Sequence, residues 1–209
     1  MANTSLIIQC LLGIQCKEFT IIAADQMNIQ SFIIMKDDAD KLIEMSERLV
    51  LGVNGDTADT TQFTQFVEKN LQLYSMKNKY QLDTPAVVHF TRKSMADALR
   101  DGNPRMLNML IAGYDEDNGC QLYTMDFLAT CMKVPYAAHG LGGLFGIPIL
   151  NHYYKPSLSE VEAYHVIKLC VRAIQKRLFI TLPNFLVKSL SKDGVKVLPV
   201  INPATFMKS

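Results

Sequence analysis

Two apolar runs near the start of the sequence, residues 6–14 and 19–24, are almost uninterrupted by polar side chains. Each run is too short to cross a membrane as a helix, which needs about 20 apolar residues. Continuous apolar character without polar alternation is typical of strands that are buried on both faces. Three shorter apolar runs follow, at 33–35, 42–45 and 49–53. The first quarter of the chain therefore predicts sheet structure that is covered on both sides.

Four helices with recognisable start signals follow in two pairs. Asp56 is placed to cap a helix directly after the early strands, and Thr84 is placed to cap a second helix that has proline at its first position. A glycine-rich turn opens a third helix. Ser159 and Glu162 have capping-box spacing for the fourth.

The pattern returns to strands between the two helix pairs and after them. Strands are predicted at 106–114, 121–127, 129–138, 185–190 and 195–200. Because helices and strands are segregated along the chain instead of alternating, the sequence predicts an α+β fold. Two sheets stacked face to face between two helical layers would bury all of the apolar runs. The chain has no linker or internal repeat, so residues 1–209 are expected to form a single domain.

Charge and cysteine content exclude several classes of function. A net charge of +1 gives no electrostatic reason to expect nucleic acid or an anionic membrane as a partner. The five cysteines are odd in number, lie mostly in apolar runs and form no Cys-x-x-Cys motif, so we expect reduced core thiols. The apolar start lacks the basic residues and the cleavage site of a secretory signal. These features predict an intracellular protein.

The segments that most resemble cofactor or metal sites each lack a required residue. The glycine-rich segment at 140–146 has Phe145 where a dinucleotide fingerprint needs glycine, and it lacks the Lys-Ser/Thr of a P-loop. The acidic turn at 37–40 lacks the glycine and glutamate of an EF-hand loop. The histidines show no metal-ligand spacing, and His139 is expected to be a hydrogen-bonded structural residue. We expect no cofactor and no metal.

Six short segments occur in an order and at separations that are characteristic of one protein family. They are Ile-Ile-Ala-Ala-Asp at 21–25, Met-Lys-Asp-Asp-Ala-Asp-Lys-Leu at 35–42, Gly-Asp-Thr at 55–57 with Gln-Phe at 62–63, Ala-Gly-Tyr-Asp-Glu at 112–116, Ala-Ala-His-Gly at 137–140 and Tyr-Tyr at 153–154. With them the chain resembles the beta subunits of the 20S proteasome core over residues 6–200. The second and fifth segments are most similar to the non-catalytic type-2 kind, which occupies the fourth position of the beta ring. The resemblance implies a four-layer α-β-β-α sandwich of the N-terminal-nucleophile hydrolase type.

The resemblance also implies where an active site would lie. In active members an N-terminal threonine is the nucleophile and its own amine is the base, while a lysine, an aspartate and a glycine amide assist. The positions that match these four groups are Gln9, Asp25, Lys41 and Gly55. Two later positions, which are polar in active members, are Leu141 and Leu178 in this chain. Gln9 has neither hydroxyl nor thiol, and Ile8 replaces the glycine at which active members are cut. We therefore predict no catalytic residue and six vestigial active-site positions.

The implied function is that of a non-catalytic structural subunit, which helps to build the chamber for ubiquitin-dependent protein degradation in cytoplasm and nucleus. The implied partners are beta subunits of the same and the opposite ring and subunits of the alpha ring. The alternative is an active threonine hydrolase of the same fold, processed near Thr4 or Ser5. Those residues lie four to five positions before Gln9, a displacement of about 13–17 Å along a strand that would put them beyond the reach of Lys41.

Overall fold

The computed structural model of the protein describes residues 8–30 and 33–205. Its strands are β1 Leu11–Gln15, β2 Phe19–Asp25, β3 Asn28–Gln30, β4 Ile33–Lys36, β5 Leu42–Ser46, β6 Leu49–Gly55, β7 Leu107–Asp115, β8 Gly119–Met125, β9 Cys131–Lys133, β10 Tyr136–His139, β11 Phe185–Ser191 and β12 Gly194–Ile201. Its α-helices are α1 Thr57–Asn78, α2 Thr84–Arg100, α3 Gly140–Tyr153 and α4 Glu160–Arg177. The start of the first predicted strand, and the residues Thr4 and Ser5, lie outside the described part of the chain.

The strands form two five-stranded antiparallel sheets and one hairpin. The first sheet has the order β10-β1-β2-β11-β12, and the second has the order β5-β6-β7-β8-β9. β3 and β4 pair with each other as a two-stranded hairpin. Helices α3 and α4 contact the first sheet through β10, β1 and β2, whereas α1 and α2 contact the second through β5, β6, β7 and β8.

Three apolar cores separate four layers. One core lies between the first sheet and its helices, one between the second sheet and its helices, and one between the two sheets. β2 supplies two of them, since Ile21 and Ala23 belong to the helix-facing core while Ile22 and Ala24 belong to the core between the sheets. This division explains why the strand is apolar at successive positions. The predicted α-β-β-α sandwich is confirmed.

Helix starts follow local capping chemistry, with one correction. Asp56 caps α1 by accepting hydrogen bonds from two backbone N–H groups, and Ser159 with Glu162 forms the predicted capping box of α4. The predicted cap of α2 at Thr84 is wrong by one residue, because Asp83 accepts the bond from the helix N–H group. Thr84 is instead the first helical residue, and its N–H and Oγ1 both donate to Asp115 at 3.0 Å.

The single strand predicted at 129–138 is also wrong. The chain forms β9 at the edge of the second sheet and then β10 at the edge of the first, so this segment crosses from one sheet to the other. The crossing occurs at Val134, whose N–H donates to Leu122, and Pro135, whose carbonyl accepts from Gln15. Proline has no N–H group to continue a ladder, which favours a break at this point.

All five cysteines are free thiols, and each is at least partly buried, as predicted. Among the residues that the structure describes, no helix is both long and apolar enough to cross a membrane.

Candidate functional site

The structure brings four of the six predicted positions together as a group of two hydrogen-bonded pairs, Gln9 with Gly55 and Asp25 with Lys41. The Cys10 N–H, next to Gln9 in the chain, donates to Asp25 and connects the two pairs. Asp25 ends β2 in the first sheet, while Lys41 directly precedes β5 and Gly55 ends β6 in the second sheet. The group therefore forms where strand ends of the two stacked sheets meet.

Asp25 is completely buried and accepts three hydrogen bonds. The Cys10 N–H donates to Oδ1 at 2.7 Å, the Met27 N–H donates to Oδ2 at 3.1 Å, and the Lys41 ammonium donates to Oδ2 at 2.7 Å. Burial raises the pKa of the Asp25 carboxyl, and the Lys41 charge and these hydrogen bonds offset part of that rise. The carboxylate therefore depends on its partners to be tolerated in the interior.

Lys41 is held by two acceptors and has little contact with solvent. Its ammonium donates to Asp25 and, at 2.6 Å, to the backbone carbonyl of Met27, and the residue is 9% exposed. Sequence reasoning missed the Met27 carbonyl, because a backbone acceptor is present whatever side chain the residue carries. These two hydrogen bonds, to a carboxylate and a carbonyl of the same chain, hold the ammonium in place.

The Gln9 carboxamide exchanges two hydrogen bonds with the backbone of Gly55. The Gly55 N–H donates to Oε1 at 2.8 Å, and Nε2 donates to the Gly55 carbonyl at 3.3 Å. Gly55 has a φ of 151°, and an added Cβ would lie 2.6 Å from the Leu107 Cα. Only glycine fits this close approach between β6 and β7 without a shift of the backbone.

Gly140, the first residue of α3, lies against the main chain of Gln9. Its φ of 79° is in the left-handed region, and an added Cβ would overlap the Gln9 carbonyl oxygen and the Asn54 side-chain nitrogen. The Gly142 N–H reaches the Gln9 carbonyl at 3.4 Å. The glycine-rich segment thus forms a tight strand-to-helix turn. This is what the sequence predicted, because the segment matches neither a dinucleotide fingerprint nor a P-loop.

The other two predicted positions do not join either hydrogen-bonded pair. Leu141 lies in the first turn of α3 and packs against the core between the first sheet and its helices. Leu178 caps the C-terminal end of α4, where its N–H donates to Ile174, and its side chain packs against the same core. Both are apolar and offer no group that can carry a proton.

His139 is a structural residue, as predicted. Its Nε2 lies 2.7 Å from the Thr124 Oγ1, a hydrogen bond that links β10 of the first sheet to β8 of the second. Burial lowers the pKa of His139, so the ring is neutral at pH 7.

A second buried lysine, which sequence reasoning missed, ties the two sheets together beside the group. The Lys188 ammonium donates to the Leu42 carbonyl at 2.6 Å and pairs with Glu44 at 2.9 Å and Asp40 at 3.3 Å. This contact fixes β11 against the start of β5, directly after Lys41. No sequence pattern marked it, because its partners lie in β5 and in the segment just before it, far away along the chain.

Neither the side chain at position 9 nor the one at position 10 is a ready nucleophile. Position 9 carries a carboxamide, which is neither a nucleophile nor a proton carrier at neutral pH. The adjacent Cys10 thiol is buried, and burial raises its pKa well above 9.0, so the thiolate that would react is disfavoured. Gln9, Lys41 and Gly55 border a cavity of about 360 Å³ whose walls combine polar and apolar surface. Within the described residues, no group of three or more His, Cys, Asp or Glu side chains is arranged to hold a metal.

Comparison with known proteins gives a consistent match over nearly the whole chain. The family described as "Proteasome subunit" matches residues 9–189, a range that contains all six predicted positions. The chain is 37% identical over 188 residues to proteasome subunit beta type-2 of Oryza sativa subsp. japonica, covering 90% of this chain and 88% of that protein.

Two further relatives show similar coverage. Proteasome subunit beta type-2-A of Arabidopsis thaliana is 36% identical over 188 residues, covering 90% of this chain and 92% of that protein. Proteasome subunit beta type-4 of Saccharomyces cerevisiae is 34% identical over 187 residues, covering 89% of this chain and 94% of that protein.

Proposed function

Because this chain belongs to the proteasome subunit family, we propose that it is a non-catalytic, structural beta subunit of the 20S core particle. It helps to build the chamber in which other subunits degrade proteins, and it hydrolyses none itself. The observation that carries this proposal is the Gln9 carboxamide bound to Gly55, at the position where active members of the family hold their nucleophile. Leu141 and Leu178 support it, since neither provides the polar group that active members have there.

The proposal includes the surroundings of the subunit. Its partners are neighbouring beta subunits in the same ring, beta subunits of the opposite ring and subunits of the alpha ring, in cytoplasm and nucleus. The six positions are remnants of an active site, and residues 1–209 act as one domain. Large apolar side chains on several exposed faces support the assembly, among them Ile33 on β4, Met76 on α1 and Val161 on α4, which are 67%, 74% and 77% exposed.

Covalent labelling tests the proposed absence of catalysis. When assembled particles are treated with a threonine-directed covalent inhibitor, we expect the catalytic subunits of the same particle to be labelled and this subunit to remain unlabelled. The intact mass of the subunit should show no cut between Ile8 and Gln9. Labelling of this subunit, or a mature chain that starts at Thr4 or Ser5, would show an active hydrolase.

Restoring the nucleophile alone is expected to leave the site inactive. The double variant Ile8→Gly with Gln9→Thr supplies a processing site and a hydroxyl next to Lys41. Leu141 and Leu178 would still leave the new amine without polar partners, and imperfect placement of reacting groups can cost about a hundredfold in rate. We expect no inhibitor label on this variant in assembled particles. A labelled threonine at position 9 would show that the Ile8-Gln9 pair alone had silenced the site.

Expression of the chain without other proteasome subunits is expected to give aggregates or self-associated species. The exposed apolar residues, which neighbouring subunits would cover, then face water or one another. Gel filtration with light scattering measures this directly, and co-expression with the other core subunits is the control in which the chain should stay soluble. A monodisperse, stable monomer would contradict the proposed assembly.

A further inference from the structure

Strand β6 extends beyond its neighbour β5, so the last residues of β6 have no β5 residue beside them. β5 begins at Leu42, which lies opposite Gly52, and the next bond on that side joins the Val53 N–H to the Lys41 carbonyl at 2.9 Å. Backbone groups two residues apart in a strand point to the same side. Gly55 therefore presents its N–H and C=O where β5 no longer continues. An unpaired strand edge of this kind can bind another extended chain.

The Gln9 carboxamide occupies this missing position in the ladder. It accepts from the Gly55 N–H at 2.8 Å and donates to the Gly55 carbonyl at 3.3 Å. These are the two bonds that a residue of a neighbouring antiparallel strand exchanges with its hydrogen-bonded partner. A carboxamide can make both because it carries the same acceptor and donor as a peptide group.

We propose that Gln9 acts as an internal substitute for a peptide strand, and that it closes the end of β6 to extended peptides. The proposal rests on the proposed function, in which peptides pass a subunit that does not cleave them. The role of Gln9 adds that passing peptides are not bound at Gly55 of this subunit either.

The main chain around Gln9 holds the carboxamide in place. The Gln9 carbonyl accepts from the Gly142 N–H at 3.4 Å, and the Cys10 backbone is bonded to Asp25 through both its N–H and its carbonyl. Gln9 itself is only 7% exposed. An incoming peptide would have to displace a partner that is already positioned and therefore acts at a high effective concentration.

The space beside this edge is large enough for a peptide segment once the carboxamide is removed. The cavity of about 360 Å³ adjoins both Gln9 and Gly55. Its lining includes Lys36 and the pair formed by Thr57 and Asn28, whose side chains are hydrogen-bonded at 3.0 Å. The lining combines such polar groups, which can hydrogen-bond a peptide backbone, with apolar surface that can contact peptide side chains.

Photocrosslinking to variant particles tests the proposal. The catalytic threonines of assembled particles are first blocked with a covalent inhibitor. The particles are then irradiated with an acetylated, C-terminally amidated hexapeptide that carries a benzophenone side chain. We expect crosslinking to this subunit to rise about tenfold or more in Gln9→Ala, because two backbone hydrogen-bonding groups become free. The same peptide with alternate backbone amides methylated cannot pair as a strand and should not crosslink.

Two further variants serve as controls. One tests whether side-chain size matters at position 9, and the other tests whether the loss of a carboxamide elsewhere in the subunit has the same effect. Gln9→Met keeps the length of the side chain but removes both hydrogen bonds, so its crosslinking should rise as well. Gln15 also uses its carboxamide on backbone carbonyls, those of Cys16 and Cys120, at the other end of β1. Gln15→Ala should therefore leave crosslinking at the wild-type level.

Hydrogen exchange provides a measurement that does not depend on a variant. In wild-type particles the Gly55 amide should exchange slowly, and rapid exchange would contradict the proposal. Equal crosslinking of wild-type and Gln9-variant particles, or no crosslinking in a variant whose Gly55 amide exchanges rapidly, would also overturn it. These outcomes differ from a failure of the proposed function, which would appear as threonine-directed labelling of the wild-type subunit.

Discussion

An Asp25→Ala subunit is expected to be destabilised by about 3–5 kcal/mol, because removal of one partner leaves the other charge of a buried pair uncompensated. The charge left behind is that of Lys41, which is 9% exposed. The N–H groups of Cys10 and Met27 lose their acceptor at the same time. Natural domains are stable by only about 5–15 kcal/mol, so the loss is a large part of the total.

Competition during assembly measures this loss in the particle. The variant and a tagged wild-type copy are expressed together, and their ratio in purified particles is read by mass spectrometry. We expect the variant to make up less than about a tenth of the incorporated subunit, since destabilised chains are removed before assembly. Particles that contain it should keep their peptidase activities, because the proposed role of Asp25 in this subunit is structural.

An exposed ion pair and a double variant serve as controls. Asp97 pairs with Arg100 at 3.1 Å on the surface of α2, and such pairs contribute at most about 1 kcal/mol, so Asp97→Ala should assemble almost normally. Adding Lys41→Met to Asp25→Ala removes the uncompensated charge and should restore part of the incorporation. Normal assembly of Asp25→Ala, or assembled particles that have lost one peptidase activity, would show that Asp25 has been assigned the wrong role.

The layered fold was predictable because its main signal is local. Uninterrupted apolar strands such as β2 need cover on both faces, and the grouping of helices in pairs leaves one arrangement that covers them. The break between β9 and β10 was not predictable from apolar pattern alone. Both halves of that segment satisfy strand periodicity. Pro135 favours a break in the ladder, but that the chain crosses to the other sheet there follows only from the separation of the two sheets.

The candidate site was only partly predictable. Asp25 and Lys41 lie sixteen residues apart, a spacing that carries little information until the resemblance to a family is used. They meet because strand ends from different sheets are stacked, which is a property of the tertiary structure. The contacts that complete the site are backbone groups, namely the Cys10 N–H and the Met27 carbonyl. Since every residue has such groups, no side-chain pattern marks them.

A Gly140→Ala subunit is expected to lose about 2–5 kcal/mol through two separate effects. The φ of 79° is unfavourable for any residue with a Cβ, at a cost of roughly 1–2 kcal/mol. The new Cβ would also overlap the Gln9 carbonyl and the buried Asn54 side chain, and such overpacking costs about 1–3 kcal/mol more. The same assembly competition should show the variant strongly under-represented.

Gly102→Ala separates the two effects, because Gly102 has nearly the same φ, 73°, and nothing within 4 Å of an added Cβ. This variant should lose only the conformational part, about 1–2 kcal/mol, and should enter particles more often than Gly140→Ala. The difference between the two variants measures how tightly α3 is packed against Gln9. If both variants assemble equally well, the turn at Gly140 can move away from Gln9, and the carboxamide on Gly55 is not held in place from that side.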